Sequence, residues 1–285
     1  MAGTAKSTRR AYARDVIYFW SWAKLALQQS EKYPVSEEVV IQFVLDHIGN
    51  MSSALEKQLI KEGSKRTAGT LKIPTLRRYL ASLSIAHQEA GVDSPIFSPK
   101  VKILLRRARR TQANNRANKK TAITKPILEA MLATCDESLT GVRDRALLLV
   151  GFTSGGRRRD EIGHLRIDDL RKVDNGYILH VLRSKTDQSG NGFDVPVLGI
   201  AAQALNAWLV LSGLRDGIVF RGIRKTGKLN EGISGSAINR LIKRHVAMAG
   251  FDPTLFGAHS LRSGFIMEAA RSGANLGDAM ALSGH

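Results

Sequence analysis

Three arginines stand together at 157–159, behind the pair Gly155–Gly156 and ahead of Asp160 and Glu161. Further along, "HSLR" at 259–262 sets His259 and Arg262 one helical turn apart, and the sequence closes on His285 in "LSGH". An arginine is always protonated and presents a planar fork of donors, which suits a pair of oxygens on one anion. A carboxylate one turn away can orient that fork. Three successive helical residues point in three directions, so at most one or two of the triplet can share a pocket. The three-residue spacing to Glu161, followed by apolar Ile162 and Leu165, selects Arg158. Taken singly, His259 is more often a structural helix-cap residue and Arg262 could be an ion-pair partner.

The bulk composition says which anion. Lys and Arg number 43 against 25 Asp and Glu, a formal charge of +18. Such a field attracts a polyanion, of which nucleic acid is the commonest, although an inert basic surface or a ribosome-associated protein also accounts for charge alone. With 285 residues, 43% of them hydrophobic, about two domains with real cores are expected. The single cysteine, Cys135, permits no intramolecular disulfide and no cysteine-based zinc cluster, and reads as a small buried residue. The seven histidines form no His-x-x-x-His or carboxylate cluster, which argues against a metal nuclease. The N-terminus lacks the apolar stretch of a signal peptide, and the longest apolar run, "ALLLVGF" at 146–152, is too short to span a bilayer. The expectation is a cytoplasmic protein, nucleoid-associated when bound to DNA, with no membrane partner.

The elements that must position these residues fall in two groups. "STRRAYARDVIYFWSWAKLAL" reads as a helix capped by Ser7 or Thr8, with Tyr12, Val16, Phe19, Trp20 and Ala23 on its inner face. "VSEEVVIQFVLDHI" opens with a Ser36 cap and acidic residues suited to a helix N-terminus. "PTLRRYLASLSIAHQEAG" places Leu76, Tyr79, Leu80, Leu83 and His87 on one stripe and stops at Gly91, with Arg77 and Arg78 on a face open to DNA. "RRARRTQANNRANKK" at 106–120 carries seven basic and no acidic residues, a helix end running into a linker that could lie along phosphates through Arg106, Arg107, Arg109 and Arg110. The sequence therefore divides into a helical part at 1–110, a basic linker at 111–121 and a second domain at 122–285. In that domain, "TKPILEAMLATC" starts with a Thr124 cap, and "GVRDRALLLVGFTSGG" is a buried helix ending at Gly155–Gly156. "GYILHVLRSKTDQSGNGFDVPVL" alternates about a turn-forming tip and reads as a β-hairpin. In "ISGSAINRLIKRHVAMAG", Ile238, Leu241, Ile242 and Val246 face inward. Arg240, Lys243 and Arg244 on the other side are equally a solvated face or phosphate contacts. His164 and His245 are read as structural.

The motifs now carry a resemblance. "GRRRDEIGHLRIDDL" resembles the first arginine box of the tyrosine recombinase (phage integrase) family, Gly-x-Arg-x-x-Glu-Leu. "HSLR" is similar to its His-x-x-Arg box, "LSGH" to its Leu-Gly-His box, and "RSKTD" to its catalytic lysine turn. The N-terminal helical half resembles the family's core-binding domain, so the likeness spans nearly the whole chain. It implies a mainly α protein with an all-helical, SAM-like core-binding domain, and an α-rich catalytic domain of DNA-breaking-rejoining fold with a small antiparallel sheet.

The resemblance also implies roles. Breaking a DNA phosphodiester without a metal requires charge on the non-bridging oxygens to be neutralised, and Arg158 and Arg262 would be that clamp. Lys185 would protonate the departing 5′-oxygen, and His259 and His285 would hydrogen-bond the phosphate, with His259 the better placed for proton transfer. Glu161 would hold this network in register. Strand cleavage would pass through a 3′-phosphotyrosine link, with no cofactor, ATP or metal. The partner would be double-stranded DNA, gripped by the two domains on opposite faces, and the complete protein would form a homotetramer on paired sites. Two features depart from the family. Ser263 and Gly264 differ from its more usual residues, and the tyrosines at 12, 18, 33, 79 and 177 all precede "HSLR", whereas the family's nucleophile follows the third box. The sequence is accordingly expected to be a recombinase truncated before its nucleophile, binding DNA without cleaving it. A natural nucleophile-less protein acting at recombination sites is the alternative. A structural nucleic-acid binder explains the charge but not the ordered boxes, and the helical N-terminal domain favours a recombinase over a type IB topoisomerase.

Overall fold

The computed structural model describes residues 6–111, 120–181 and 192–283. The chain divides into two compact units, Met1–Ala117 and Asn118–His285.

The first unit is built from α1 (Lys6–Leu27), α2 (Glu37–Leu45), α3 (Ser53–Lys61), α4 (Ile73–Glu89) and α5 (Pro99–Thr111). Ser36 Oγ accepts the Val39 amide at 3.4 Å and Ser52 Oγ the Leu55 amide at 3.3 Å, so two of the starts are side-chain capped. Helix α4 ends beside Gly91, whose φ of +69° suits a residue without a Cβ. The expected α4 stripe is observed: Leu76, Leu80, Leu83 and His87 are buried, and Tyr79 is half-buried. His87 is a packing residue, with Nδ1 donating to Leu83 O at 2.8 Å and Nε2 accepting the Val35 amide at 3.0 Å.

The α1 stripe is rotated from its expected position. Asp15, Tyr18, Phe19, Trp22 and Ala23 are buried, while Tyr12, Val16 and Trp20 sit at the edge. The cause is a buried carboxylate that hydrophobic periodicity reads as a surface residue. Asp15 accepts Ser82 Oγ at 2.9 Å and is paired with Arg78. Arg78, expected on the open face, thus has internal work, with its guanidinium also 4.9 Å from the Tyr79 ring centroid. Arg77, Arg106, Arg107, Arg109 and Arg110 are exposed, whereas Val101 and Ala108 turn α5 inward.

A second polar cluster lies in this core. Trp22 Nε1 donates to Asp46 at 2.9 Å, and Tyr18 donates to His47 Nε2 at 2.6 Å while His47 Nδ1 donates to Phe43 O at 2.6 Å. Burial holds the His47 imidazole neutral and pushes its pKa down to about 4. An unfolded chain binds that proton near pH 6.5, so this contribution is complete above pH 6.5 and is lost as pH falls towards 4. Urea unfolding of the first unit at pH 4.5 should show a loss of about 2.5 kcal/mol relative to pH 7 from this group. A His47→Gln variant that retained the full pH slope would assign the effect elsewhere.

The second unit contains α6 (Lys125–Ala133), α7 (Leu139–Thr153), α8 (Arg159–His164), β1 (Leu170–Val173), β2 (Gly176–Val181), β3 (Phe193–Leu198), α9 (Gly199–Ser212), α10 (Gly235–Met248), α11 (Ala258–Arg271) and α12 (Leu276–Ser283). Helix α7 is buried nearly throughout and packs against α9, whose Trp208 is fully buried and donates Nε1–H to Val219 O at 2.8 Å. The sheet is antiparallel in the order β1-β2-β3, with His180 opposite Asp194 at the end of the expected hairpin next to its connecting segment. Strand β1 was not anticipated, because in "LRKV" the two central residues are exposed and too few positions face inward to show a period. The protein is mainly α with one small antiparallel sheet. No described helix is long and apolar enough to cross a membrane.

The four expected inward residues of α10, Ile238, Leu241, Ile242 and Val246, are all buried. So is His245 on the same helix, for a different reason. Asp144 of α7 is fully buried and accepts Arg143 Nε at 2.8 Å and Nη2 at 2.5 Å, His245 Nε2 at 2.9 Å, and Arg244. His245 Nδ1 lies 2.6 Å from Thr134 Oγ1, so the cluster joins α7, α10 and the end of α6. Arg244, half exposed, therefore has a structural partner in this carboxylate. Cys135, beside this cluster, is buried, and burial pushes its thiol up to about 11, so it stays protonated.

Candidate phosphate-binding cleft

Helix α7 ends at the Gly155–Gly156 turn, and both glycines have left-handed backbone, with φ of +93° and +65°. Close approach demands glycine here as much as the dihedrals do. A Cβ on Gly156 would stand 2.2 Å from Arg262 Cα, so the first box touches the second through backbone. Arg262 lies in the second turn of α11, and two residues further Gly264 is held against another main chain. A Cβ there would stand 1.7 Å from Ile123 O. The departure at Gly264 thus has a steric cause: residues 120–123 run across α11. Thr121 N–H donates to Leu255 O at 2.8 Å and Ile123 N–H to Ser260 O at 2.9 Å, so the end of the expected linker already belongs to the second unit.

The arginine triplet is not helical throughout. Arg158 is the cap residue of α8 with extended backbone, and only Arg159 is inside the helix. Consecutive residues before the cap point apart for that reason. Arg157 is turned inward, 2% exposed, while Arg158 is one-third exposed. Glu161 stands between them. Its Oε2 accepts the Arg158 amide at 3.0 Å and lies 3.7 Å from Arg157 Nη1, and its Oε1 lies 3.8 Å from Arg158 Nη1. The carboxylate thus orients the turn and its guanidinium groups, as the spacing suggested.

Arg158, His259 and Arg262 line one cleft of about 400 Å³, together with Lys120, Lys243, Asn239, Arg157 and Arg159; all three arginines of the triplet thus reach one pocket, against the expectation drawn from helical geometry, because only Arg159 is helical. Arg262 is buried in its wall, and His259 is exposed in the first turn of α11, where helix N–H groups favour an anion. Asn239 Oδ1 accepts the Ala258 amide at 3.0 Å and so ties α10 to that N-terminus. Burial, with Arg158 and Arg262 nearby, lowers the proton affinity of Arg157, and burial with Arg158 lowers that of Arg262. Three guanidinium groups share Glu161, and that surplus of positive charge is what an anionic oxygen cluster neutralises.

Of the expected site residues, Arg158, Glu161, His259, Arg262 and Lys243 meet here, and Arg240 is exposed on α10. Lys185 and His285 lie outside the described residues, as does most of the linker. In the sequence, the spacing to Glu161 sets Arg157 aside in favour of Arg158, Lys120 counts only within the basic stretch at 106–120, and Asn239 carries no signal. A signal for Arg157 was present: it sits between the glycine turn and the helix start. No group of three or more His, Cys, Asp or Glu among the described residues is placed to hold a metal ion.

The model of the phage integrase family matches residues 122–285. The chain is 28% identical over 277 residues to the integrase/recombinase xerD homolog of Selenomonas ruminantium, covering 94% of this chain and 74% of that protein. It is 25% identical over 234 residues to recombinase cre of Escherichia phage P1, covering 75% of this chain and 68% of that protein. Among solved structures, the Tn1549 transposon integrase in complex with transposon right end DNA matches with a TM-score of 0.63 at 15% identity, over 100% of this chain and 87% of that one. The XerH recombinase bound to difH substrate matches with a TM-score of 0.60 at 16% identity, over 97% of this chain and 73% of that one. These structural likenesses establish a shared fold. The chain belongs to the phage integrase family, the tyrosine recombinases.

Proposed function

We propose that this chain binds duplex DNA and that its second unit grips one phosphodiester between Arg158 and Arg262 for site-specific strand exchange. The observation that carries the reading is the cleft in which these two arginines and His259 converge, with the backbones of their boxes in contact. The relatives named as recombinases, and the neighbours solved on DNA, support it.

The chemistry follows from the residues. Two guanidinium forks neutralise the non-bridging oxygens as negative charge grows in the transition state, and the water-poor wall around Arg262 strengthens that effect. His259 offers an exposed imidazole beside the same phosphate for hydrogen bonding or proton transfer. Lys185, on the segment joining β2 and β3, is assigned the proton donated to the leaving 5′-oxygen. Attack by a tyrosine would leave a 3′-phosphotyrosine link that conserves the bond for religation. The second unit's tyrosine, Tyr177, is not that group: it is buried on β2 with its hydroxyl donating to Asn206 at 3.1 Å. Arg77, Arg106, Arg107, Arg109 and Arg110 of the first unit, with Lys120, Arg240 and Lys243 of the second, are assigned to flanking phosphates. Arg78 and Arg244 are left to their internal carboxylates.

The test is affinity for duplex DNA against salt. With roughly 6–10 phosphates neutralised, binding should weaken by roughly 10³–10⁵ between 50 and 200 mM salt. Arg158→Ala and Arg262→Ala should each reduce the slope by about one phosphate. A shallow slope, or variants that leave it unchanged, would remove the basis for the reading.

A further inference from the structure

Arg157 is charged, buried, and unused by the clamp. Burying a guanidinium is unfavourable unless its donors and charge find partners, so its surroundings indicate what it is for. Its Nη2 donates to the main-chain carbonyl of Leu282, in the last turn of α12. Its guanidinium carbon lies 5.1 Å from the Phe193 ring centroid, and Glu161 is 3.7 Å away. Gly155 independently marks the same contact. A Cβ at that position would stand 2.5 Å from Leu282 O, so the turn has left room for this carbonyl.

Helix α12 needs such a hold. It is 8 residues long, too short to be stable by itself, and Ala279 is its one described buried side chain. The last four carbonyls of any helix lack partners within it, and the C-terminal end favours a cation. Arg157 answers both needs at Leu282.

We propose that Arg157 is a positioning residue that latches the C-terminal end of α12 to the Gly155–Gly156 turn. The turn that aims Arg158 then also fixes the helix from which the chain enters the "LSGH" box. The link to strand exchange rests on the function proposed above, but the latch itself does not. It ties two parts of the site that are more than a hundred residues apart in sequence through one side chain.

Hydrogen exchange on the 285-residue chain, without DNA, tests it. In Arg157→Met, which fills similar space without a donor, amides of 276–283 should exchange faster by about tenfold or more, while those of α7 keep their protection. Arg157→Lys, which retains a cation but not the fork, should fall between wild type and Arg157→Met. Unchanged exchange at 276–283 overturns the proposal. So does a parallel loss of protection in α7, which would make Arg157 a general packing residue. If Arg157→Met does not fold, the lysine variant decides: faster exchange confined to α12 supports the latch, and wild-type exchange overturns it. Because no DNA is present, a failed latch leaves the salt-slope result standing, and a failed salt slope leaves the latch standing.

Discussion

Asparagine in place of Asp144 should lower the stability of the second unit by about 3–5 kcal/mol, the cost of leaving a buried cation unpaired. Asp144 is fully buried and meets Arg143, Arg244 and His245, and the Arg143 side chain is only 8% exposed. The substitution preserves shape and removes the charge, so it reports the electrostatic requirement rather than a cavity. The amide Oδ1 can still accept from Arg143, which also donates to Arg221 O at 3.3 Å, but a neutral amide does not offset the lost charge, and its NH2 would face the Arg244 guanidinium in place of a carboxylate oxygen. Arg244 is half exposed and can return to water, so Arg244→Gln should cost under about 1 kcal/mol. The check is the urea midpoint of the second unit's transition for both variants. Equal losses would mean that the buried member of the cluster is not the one that matters.

Gly156→Ala is expected to have the other large effect. The new Cβ would meet Arg262 Cα at 2.2 Å, and that neighbour is backbone, which cannot swing aside. Strain at φ +65° contributes about 1 kcal/mol and forced separation of the boxes about 1–3 kcal/mol more. Gly213 supplies the control, since it has the same φ of +65° and nothing within 4 Å of a Cβ. Gly213→Ala should therefore show the strain alone. Equal destabilisation of the two variants would sink the claim that the boxes are in backbone contact. On the proposed function, Gly156→Ala should also weaken DNA binding through a displaced Arg262, and Gly213→Ala should not.

Much of this was legible in the sequence where spacing alone decides geometry. The stripes of α4 and α10 came from apolar periodicity, and Arg158, His259 and Arg262 from motif order. What escaped had partners distant along the chain. Asp15 is buried because Arg78 and Ser82, 63 and 67 residues away, satisfy it, and its burial rotates α1. Arg244, half exposed, is paired with Asp144, 100 residues earlier. Arg157 looked like a redundant member of a triplet until the chain beyond Gly155–Gly156 turned out to be extended rather than helical. A single sequence carries local period well, and it carries the pairing of buried charges poorly.

Gly155, Gly156 and Gly264 stand at close backbone crossings. Each brings a main chain against another main chain, so the relative placement of the arginine boxes does not depend on the shapes of the side chains around them. Residues lining the outer cleft, such as Lys120, Arg159 and Lys243, are free to change in size and charge without moving the clamp. On the proposed function, substitution at the rim would tune how tightly flanking phosphates are held and how steeply binding depends on salt, while the three glycines keep the spacing of the clamp.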